Sequence, residues 1–355
     1  MVVEMDGLAG GLLVVVGSAG MTPTAAWLDG ARRVNRALML VAGVWAVTLL
    51  VSLPLAVVLR GMIAQHLGDS LVGESVASGV NYDWMQEFSD QATGLGVTFR
   101  PTVIGFGAVL DNLSAFLDNV RRPMVIVGVA VAYVVIWMFL SGGIIDRLAR
   151  DRETRAFGFF GSSGEFFFRF FRLGLAQWVT YAALFGWLHP LLFERWFPRM
   201  IHEVSVERTA FLIRLALYVV FGAVLTTCLL IFDYAKVRAV VEDRRSMLGS
   251  IVAASTFIRG NLGAVVWVFS MNFVVFMAVL AVYGAIAPGA GTTGIRMWTA
   301  FASGQLYVLG RLWVKLTFWA SETALFQSRF AHTGYVARPQ PTWPDSPAAE
   351  AILGP

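Results

Sequence analysis

The chain is 355 residues long, 57% hydrophobic and only 14% charged, with a formal net charge of +4. That balance excludes a set of soluble domains and points to lipid as the solvent. The single cysteine, Cys228, excludes a disulfide framework, a CxxC pair and a thiolate metal site.

A bilayer core needs about 20 apolar residues per helix, and six stretches qualify, at 37–59, 123–145, 173–193, 209–232, 264–287 and 297–320. The expected fold is therefore all-α: a polytopic membrane helix bundle of six transmembrane helices within a domain spanning 21–335. Ahead of it, residues 1–20 (MVVEMDGLAGGLLVVVGSAG) open with Glu4 and Asp6 and carry a short apolar run without an A-x-A-like site. They do not fit a secretory signal, and read as a disordered tail or as a start upstream of Met21.

Between the first two spans lies the one sizeable extracytoplasmic loop, 60–122, with Asp69, Glu74, Asp83, Glu87, Asp90, Asp111 and Asp118. Its end, VIGFGAVLDNLSAFL, has helical apolar spacing and is expected to rest on the outer surface or dip into it. Asp83, Glu87 and Asp90 stand at i, i+4 and i+7. Three carboxylates on one face can hold a hard cation, but no glycine-bearing Asx loop surrounds them, so a solvated acidic face is the favoured reading. No metal and no cofactor is expected.

Spans two and four leave the membrane alike, IID at 144–146 and IFD at 231–233. Asp146 to Arg172 and Asp233 to Arg259 are both 26 residues, and a Trp-Val pair opens each following span. The 87-residue period predicts an internal parallel repeat about an axis along the membrane normal. In the first copy, Ser162 and Glu165 fit a capping box, so a helix is expected to start there. Phe166, Phe167, Phe170 and Phe171 then gather beside Arg169 and Arg172, the pattern of an interfacial cytoplasmic helix in contact with lipid. Such a helix serves either as an anchor or as a specific contact for anionic lipid or a cytoplasmic partner.

The basic residues set the orientation. Sixteen Lys and Arg fall on the side holding 147–172, 236–259 and both chain ends, against eight on the other. Both termini are thus expected in the cytoplasm. Because these residues are spread over four segments with no recognition motif, they mark topology, and nucleic acid is not an expected partner. Farther along, PGAGTTG at 288–294 lacks the P-loop lysine. His66, His189, His202 and His332 are scattered, and ARPQPTWPDSP opens a proline-rich stretch that makes 336–355 a disordered tail.

FFRFFRLG at 167–174 and TFIRGNLG at 256–263 each precede a span. This arrangement resembles uncharacterised bacterial polytopic membrane proteins, and is similar to the membrane domain fused to some glycerophosphodiester phosphodiesterases. The resemblance covers about 144–330; the phosphodiesterase domain itself is missing, so that activity is not implied.

Charge inside the last span closes the reading. Arg311, Lys315 and Glu322 fall on one helical face with Ala300 and Gly304, which predicts a face turned into the bundle. Asp146 and Asp233 end their spans at a similar level, so Arg311 and Lys315 are expected to pair with them in an inner-leaflet polar cluster. No GxSxG, HExxH or dinucleotide motif occurs, and an enzyme is not expected. The favoured function is a scaffold or assembly factor that contacts the lipid bilayer and an unidentified membrane or cytoplasmic protein. The alternative is a transporter or permease subunit for a small molecule or lipid, for which Gln177, Asn272 and Arg214 are available inside spans.

Overall fold

A computed structural model describes residues 21–100, 105–121, 123–287 and 294–329. The two expected tails and nearly all of PGAGTTG lie outside the described residues. Those described are helical or connecting, without a strand.

The chain begins with α1 (Pro23–Asn35), whose entry is fixed by Pro23 in the first turn and by the Thr22 hydroxyl accepting from the Ala25 amide. It turns at Arg36 and Ala37 into α2 (Leu38–Leu67). The segment between the first two expected spans folds as α3 (Val72–Ser78), α4 (Tyr82–Gln91), a 3-10 turn (Gly94–Thr98) and α5 (Gly105–Leu117). Trp84, Met85 and Phe88 of α4 pack on the end of α2, where the Trp84 indole donates to His66 Nδ1 at 3.2 Å.

Next come α6 (Val127–Arg150) and α7 (Ala156–Ala183). From α7 the chain passes through two π-helical turns, Leu184–Leu188 and Leu191–Trp196, into α8 (Phe197–Ile201). The widened turns flank Pro190, which has no N–H to donate and whose ring would collide with a carbonyl one turn back. The last helices are α9 (Glu207–Val241), α10 (Met247–Gly260), α11 (Leu262–Ile286) and α12 (Ile295–Arg329).

Four helices are long and apolar enough to cross a membrane: α2, α6 with its preceding 3-10 turn, α9 and α11. They mark the chain as a membrane protein by length and composition. The third and sixth expected spans lie in α7 and α12, which are helical but mix charge into their length, namely Glu165, Arg169 and Arg172 in one and Arg296, Arg311 and Lys315 in the other. At ~1.5 Å per residue, the 35 residues of α9 or of α12 make a rod of about 52 Å, well beyond a hydrocarbon core of ~30 Å. Their surplus length carries the main core. It joins the ends of α6, α9 and α12 to the starts of α2, α7 and α11, with α1 and α10 packed among them. This end also holds most of the arginines and is called the basic end below. A smaller cluster of Leu184, Leu192, Leu217 and Phe221 sits toward the opposite end.

Two local expectations are corrected. The capping box does not start a helix: α7 begins six residues earlier, after Arg155, and Ser162 lies within it. The Ser162 hydroxyl donates to Asp146 instead, because α6 and α7 pack closely where Gly142 and Gly143 face Phe166 and Phe159. The two copies of the suggested repeat also differ. The first runs from interfacial segment into span as one helix, α7, whereas the second breaks at Asn261 between α10 and α11.

Candidate functional site

The polar groups at the basic end fall into two settings, set by how far along each helix they occur. Asp146, one turn before the end of α6, is buried and accepts from Arg150 Nε at 3.0 Å and from the Ser162 hydroxyl at 2.9 Å. The Asp146–Arg150 pair has i,i+4 spacing, so the carboxylate is satisfied within its own helix and by the neighbour packed on it. Asp233 of α9 is buried as well and accepts from Lys236 Nζ at 2.9 Å, again a pair within one helix.

The expected pairing of Arg311 with these aspartates does not occur. Arg311 is exposed, and each aspartate binds a cation three or four residues away on its own helix. Such a neighbour is held in reach by the helix itself, so a side chain on another helix gains little by competing for the same oxygen. Lys315 makes a different contact. Although the residue is exposed overall, its ammonium lies 3.5 Å from the Trp137 ring centroid and 5.6 Å from that of Trp319. Lys236 approaches the Trp319 ring at 5.5 Å, and the two indoles meet edge to face at 5.9 Å. Two lysines, two indoles, Ser141 and Gln177 thus line a cleft of about 210 Å³ between α6, α7, α9 and α12. Lys236 is already paired with Asp233, but among the described residues Lys315 meets only the rings, and a ring quadrupole attracts an ammonium without neutralising it, so Lys315 leaves the cleft net positive.

Behind the cleft, Glu322 is 2% exposed, and its Oε2 has no hydrogen-bond partner among the described residues; the Tyr234 hydroxyl is in the same condition. The single polar face expected on α12 is therefore divided. Glu322 points inward, while Arg311 and Lys315 lie on the exposed side.

The interfacial residues divide too. Phe166 and Phe170 belong to the main core, Phe167 is half-buried and Phe171 is exposed. The first two pack inside the protein rather than against lipid, because α7 lies along α6 and turns that stripe toward it. Arg169 and Arg172 cross to the α9–α10 corner: Arg169 pairs with Asp243 at 2.6 Å, and Arg172 donates to the Arg245 carbonyl at 3.4 Å. In that corner Arg238 forks onto Glu242 and donates to the Ala253 carbonyl at 2.6 Å, while Arg244 also pairs with Glu242. Burial alone would raise the Glu242 carboxyl, but hydrogen bonds from Arg238 and Arg244 outweigh it and hold the group below its usual value.

Polar groups suited to transport have structural partners. Asn272 accepts from the Trp27 indole at 3.0 Å and donates to Ser321 at 2.9 Å, tying α1, α11 and α12 together. Gln177 donates to the Tyr181 hydroxyl at 3.1 Å. Arg214 and Tyr218 both donate to Asp118 just after α5, and the Tyr218 bond holds that carboxyl below its ordinary value against the opposing effect of burial. Among the described residues no three His, Cys, Asp or Glu side chains gather as a metal site, and Asp83, Glu87 and Asp90 form none.

Sequence reasoning missed Lys236, Trp137 and Trp319. Lys236 was legible as the i+3 partner of Asp233, whereas the indoles become part of the site only when α6 and α12 meet. No protein-family model matches this chain, and neither does any curated protein or solved structure.

Proposed function

We propose that this protein is a non-enzymatic scaffold or assembly factor of the bacterial inner membrane. It crosses six times, α7 and α12 supplying the third and sixth spans, with both termini in the cytoplasm and the basic end inside. Its cytoplasmic interfacial helices contact lipid and a protein partner, and the Lys236–Lys315 cleft takes an anionic headgroup.

One observation carries this reading. The core is concentrated at the basic end, while the apolar windows of α2, α6, α9 and α11 have only 11%, 17%, 22% and 22% of their residues buried in the chain. A rigid platform with outward apolar helices suits a protein that holds others in place. On α10, Leu248 and Val252 are exposed next to this platform. A photo-reactive side chain at position 248, activated in native membranes, is expected to yield one protein adduct of defined mass that disappears with Val252→Glu. Adducts with lipid alone would overturn the scaffold role.

Glu322 favours a second reading, the transporter, because a buried carboxyl without a hydrogen-bond partner is the kind of group that exchanges protons or cations in such proteins. Its test is proton flux into proteoliposomes followed by an internal pH dye. Flux abolished by Glu322→Gln supports transport, and the absence of flux in the unaltered protein counts against it.

A further inference from the structure

A second cavity, separate from the two-lysine cleft, opens where the α1–α2 corner faces the end of α6 and the start of α7. It measures about 690 Å³, within the ~300–1,000 Å³ range of small-molecule sites. One part is apolar, lined by Gly43, Val44 and Val47 of α2, Leu140 of α6 and Phe159 of α7. A side chain built on Gly43 would meet nothing within 4 Å, so this wall stands open. The other part is polar and contains Arg36, Arg147 and Glu153.

Arg147 is the decisive residue. It is 8% exposed and makes no hydrogen bond or ion pair among the described residues. Keeping a guanidinium nearly buried with no hydrogen bond is costly; Asp151 and Glu153 favour the Arg147 charge only through space, whereas four neighbouring cations of this bundle, Arg33, Arg36, Arg150 and Lys236, each hold a direct ion pair. Arg36 is already paired with Asp151 at 2.8 Å and contributes little net charge. What remains is one nearly buried cation, Arg147, with no hydrogen bond or ion pair among the described residues, and one exposed carboxylate, Glu153, on the rim, which acts on it through space without contact.

The two parts are ordered along the helix axes. From Leu140 to Arg147 the rise is ~10 Å, and from Val47 back to Leu38, where the turn carrying Arg36 begins, it is ~14 Å. An occupant must therefore be apolar along α2, anionic at Arg147 and cationic near Glu153. We propose that this groove is a binding site for a phospholipid with a primary-amine headgroup. Its phosphate pairs with Arg147, its ammonium faces Glu153, and an acyl chain lies over Gly43, Val44 and Leu140. A purely anionic headgroup satisfies Arg147 but brings like charge to Glu153, and a quaternary amine cannot donate a hydrogen bond to that carboxylate. The proposal rests on the membrane placement given above and not on the scaffold role.

The test uses the full chain carrying Lys315→Met, which takes the free cation out of the other cleft, in detergent, incubated in turn with phosphatidylethanolamine, phosphatidylcholine, phosphatidylglycerol and inorganic phosphate, with retained mass read by native mass spectrometry. Phosphatidylethanolamine is expected to be retained roughly tenfold better than the other two lipids, a difference well within one charge-assisted contact. Arg147→Gln removes that retention, and Glu153→Gln removes the preference over phosphatidylcholine while leaving lipid bound. Gly43→Phe, which fills the open wall with both charges in place, also removes retention and decides the matter if Arg147→Gln does not fold. The unaltered chain, with Lys315 in the other cleft, retains phosphatidylethanolamine to the same extent. Equal retention of all three lipids, a preference for phosphatidylglycerol, or displacement of the lipid by inorganic phosphate at equal concentration would overturn the proposal. Failure to capture a protein partner on α10 sinks the scaffold role and leaves this site intact, so the two readings fail separately.

Discussion

Gly30 of α1 lies directly against Ser321 of α12: a β-carbon on Gly30 would stand 2.6 Å from the Ser321 Cα and 2.8 Å from its Cβ. The contact is between backbones, so it cannot be relieved by turning a side chain. It also anchors the polar link from Trp27 through Asn272 to Ser321. Gly30→Ala is expected to destabilise the protein by about 1–3 kcal/mol, and Gly30→Val by more. Thermal unfolding of the purified protein in mild detergent measures this; an unchanged midpoint for Gly30→Val would mean that α1 does not sit on α12.

Exposure reverses the ordering of the charged positions that the sequence implied. Arg311→Leu is expected to change folded yield little, within about 0.5 kcal/mol, since Arg311 is exposed and binds neither aspartate. Asp146→Ala removes the buried carboxylate that joins Arg150 of α6 to Ser162 of α7 and is expected to cost more, on the order of 3 kcal/mol. Fluorescence-detected size exclusion of tagged variants compares the two, and a larger loss for Arg311→Leu contradicts this assignment.

Lys315 predicts a lipid effect rather than a folding effect. Removing one cation near an anionic membrane surface costs about 1 kcal/mol, roughly fivefold in retention. Lys315→Met is therefore expected to lower co-purifying phosphatidylglycerol by that factor, and Lys315→Arg to preserve it. Equal retention in all three proteins would remove the cleft from lipid binding.

The α9–α10 corner should respond to acid. Glu242 has a folded pKa lowered from 4.5, so the unfolded chain binds its proton more readily. The stabilisation is complete above the unfolded value and is lost as pH falls through the folded one. The midpoint difference between the unaltered protein and Glu242→Gln is expected to be largest near neutral pH and to shrink once pH drops below about 4.5. A difference that stays constant with pH assigns the contribution of Glu242 to packing rather than to charge.

Orientation is tested by single cysteines at Asp90 and Phe160, both exposed, in a Cys228→Ser background. An impermeant thiol reagent applied to intact cells is expected to reach position 90 and not position 160. Labelling of both, or of 160 alone, reverses or abolishes the proposed arrangement of ends.

Sequence by itself determined the helices and their solvent. Long apolar runs such as those of α2 and α11 have no other stable form in lipid, where every backbone N–H and C=O must be satisfied within its own segment. Spacing along one helix also makes the pairs Asp29–Arg33, Asp146–Arg150 and Arg238–Glu242 available, because residues three or four apart are neighbours whatever surrounds them, and for Asp146 this local partner prevails over the expected Arg311. Tertiary structure alone decided which way each face turns. Periodicity places Arg311, Lys315 and Glu322 on one side of α12, but the position of α1, α6 and α9 around it buries only the last. It also decided that Phe166 and Phe170 are core, that Lys315 rests on Trp137, and that Arg147 is buried without a hydrogen bond among the described residues in a groove shared by four helices. These depend on distances between segments far apart in the chain, and a helical period fixes an angle about one axis without fixing what lies across it.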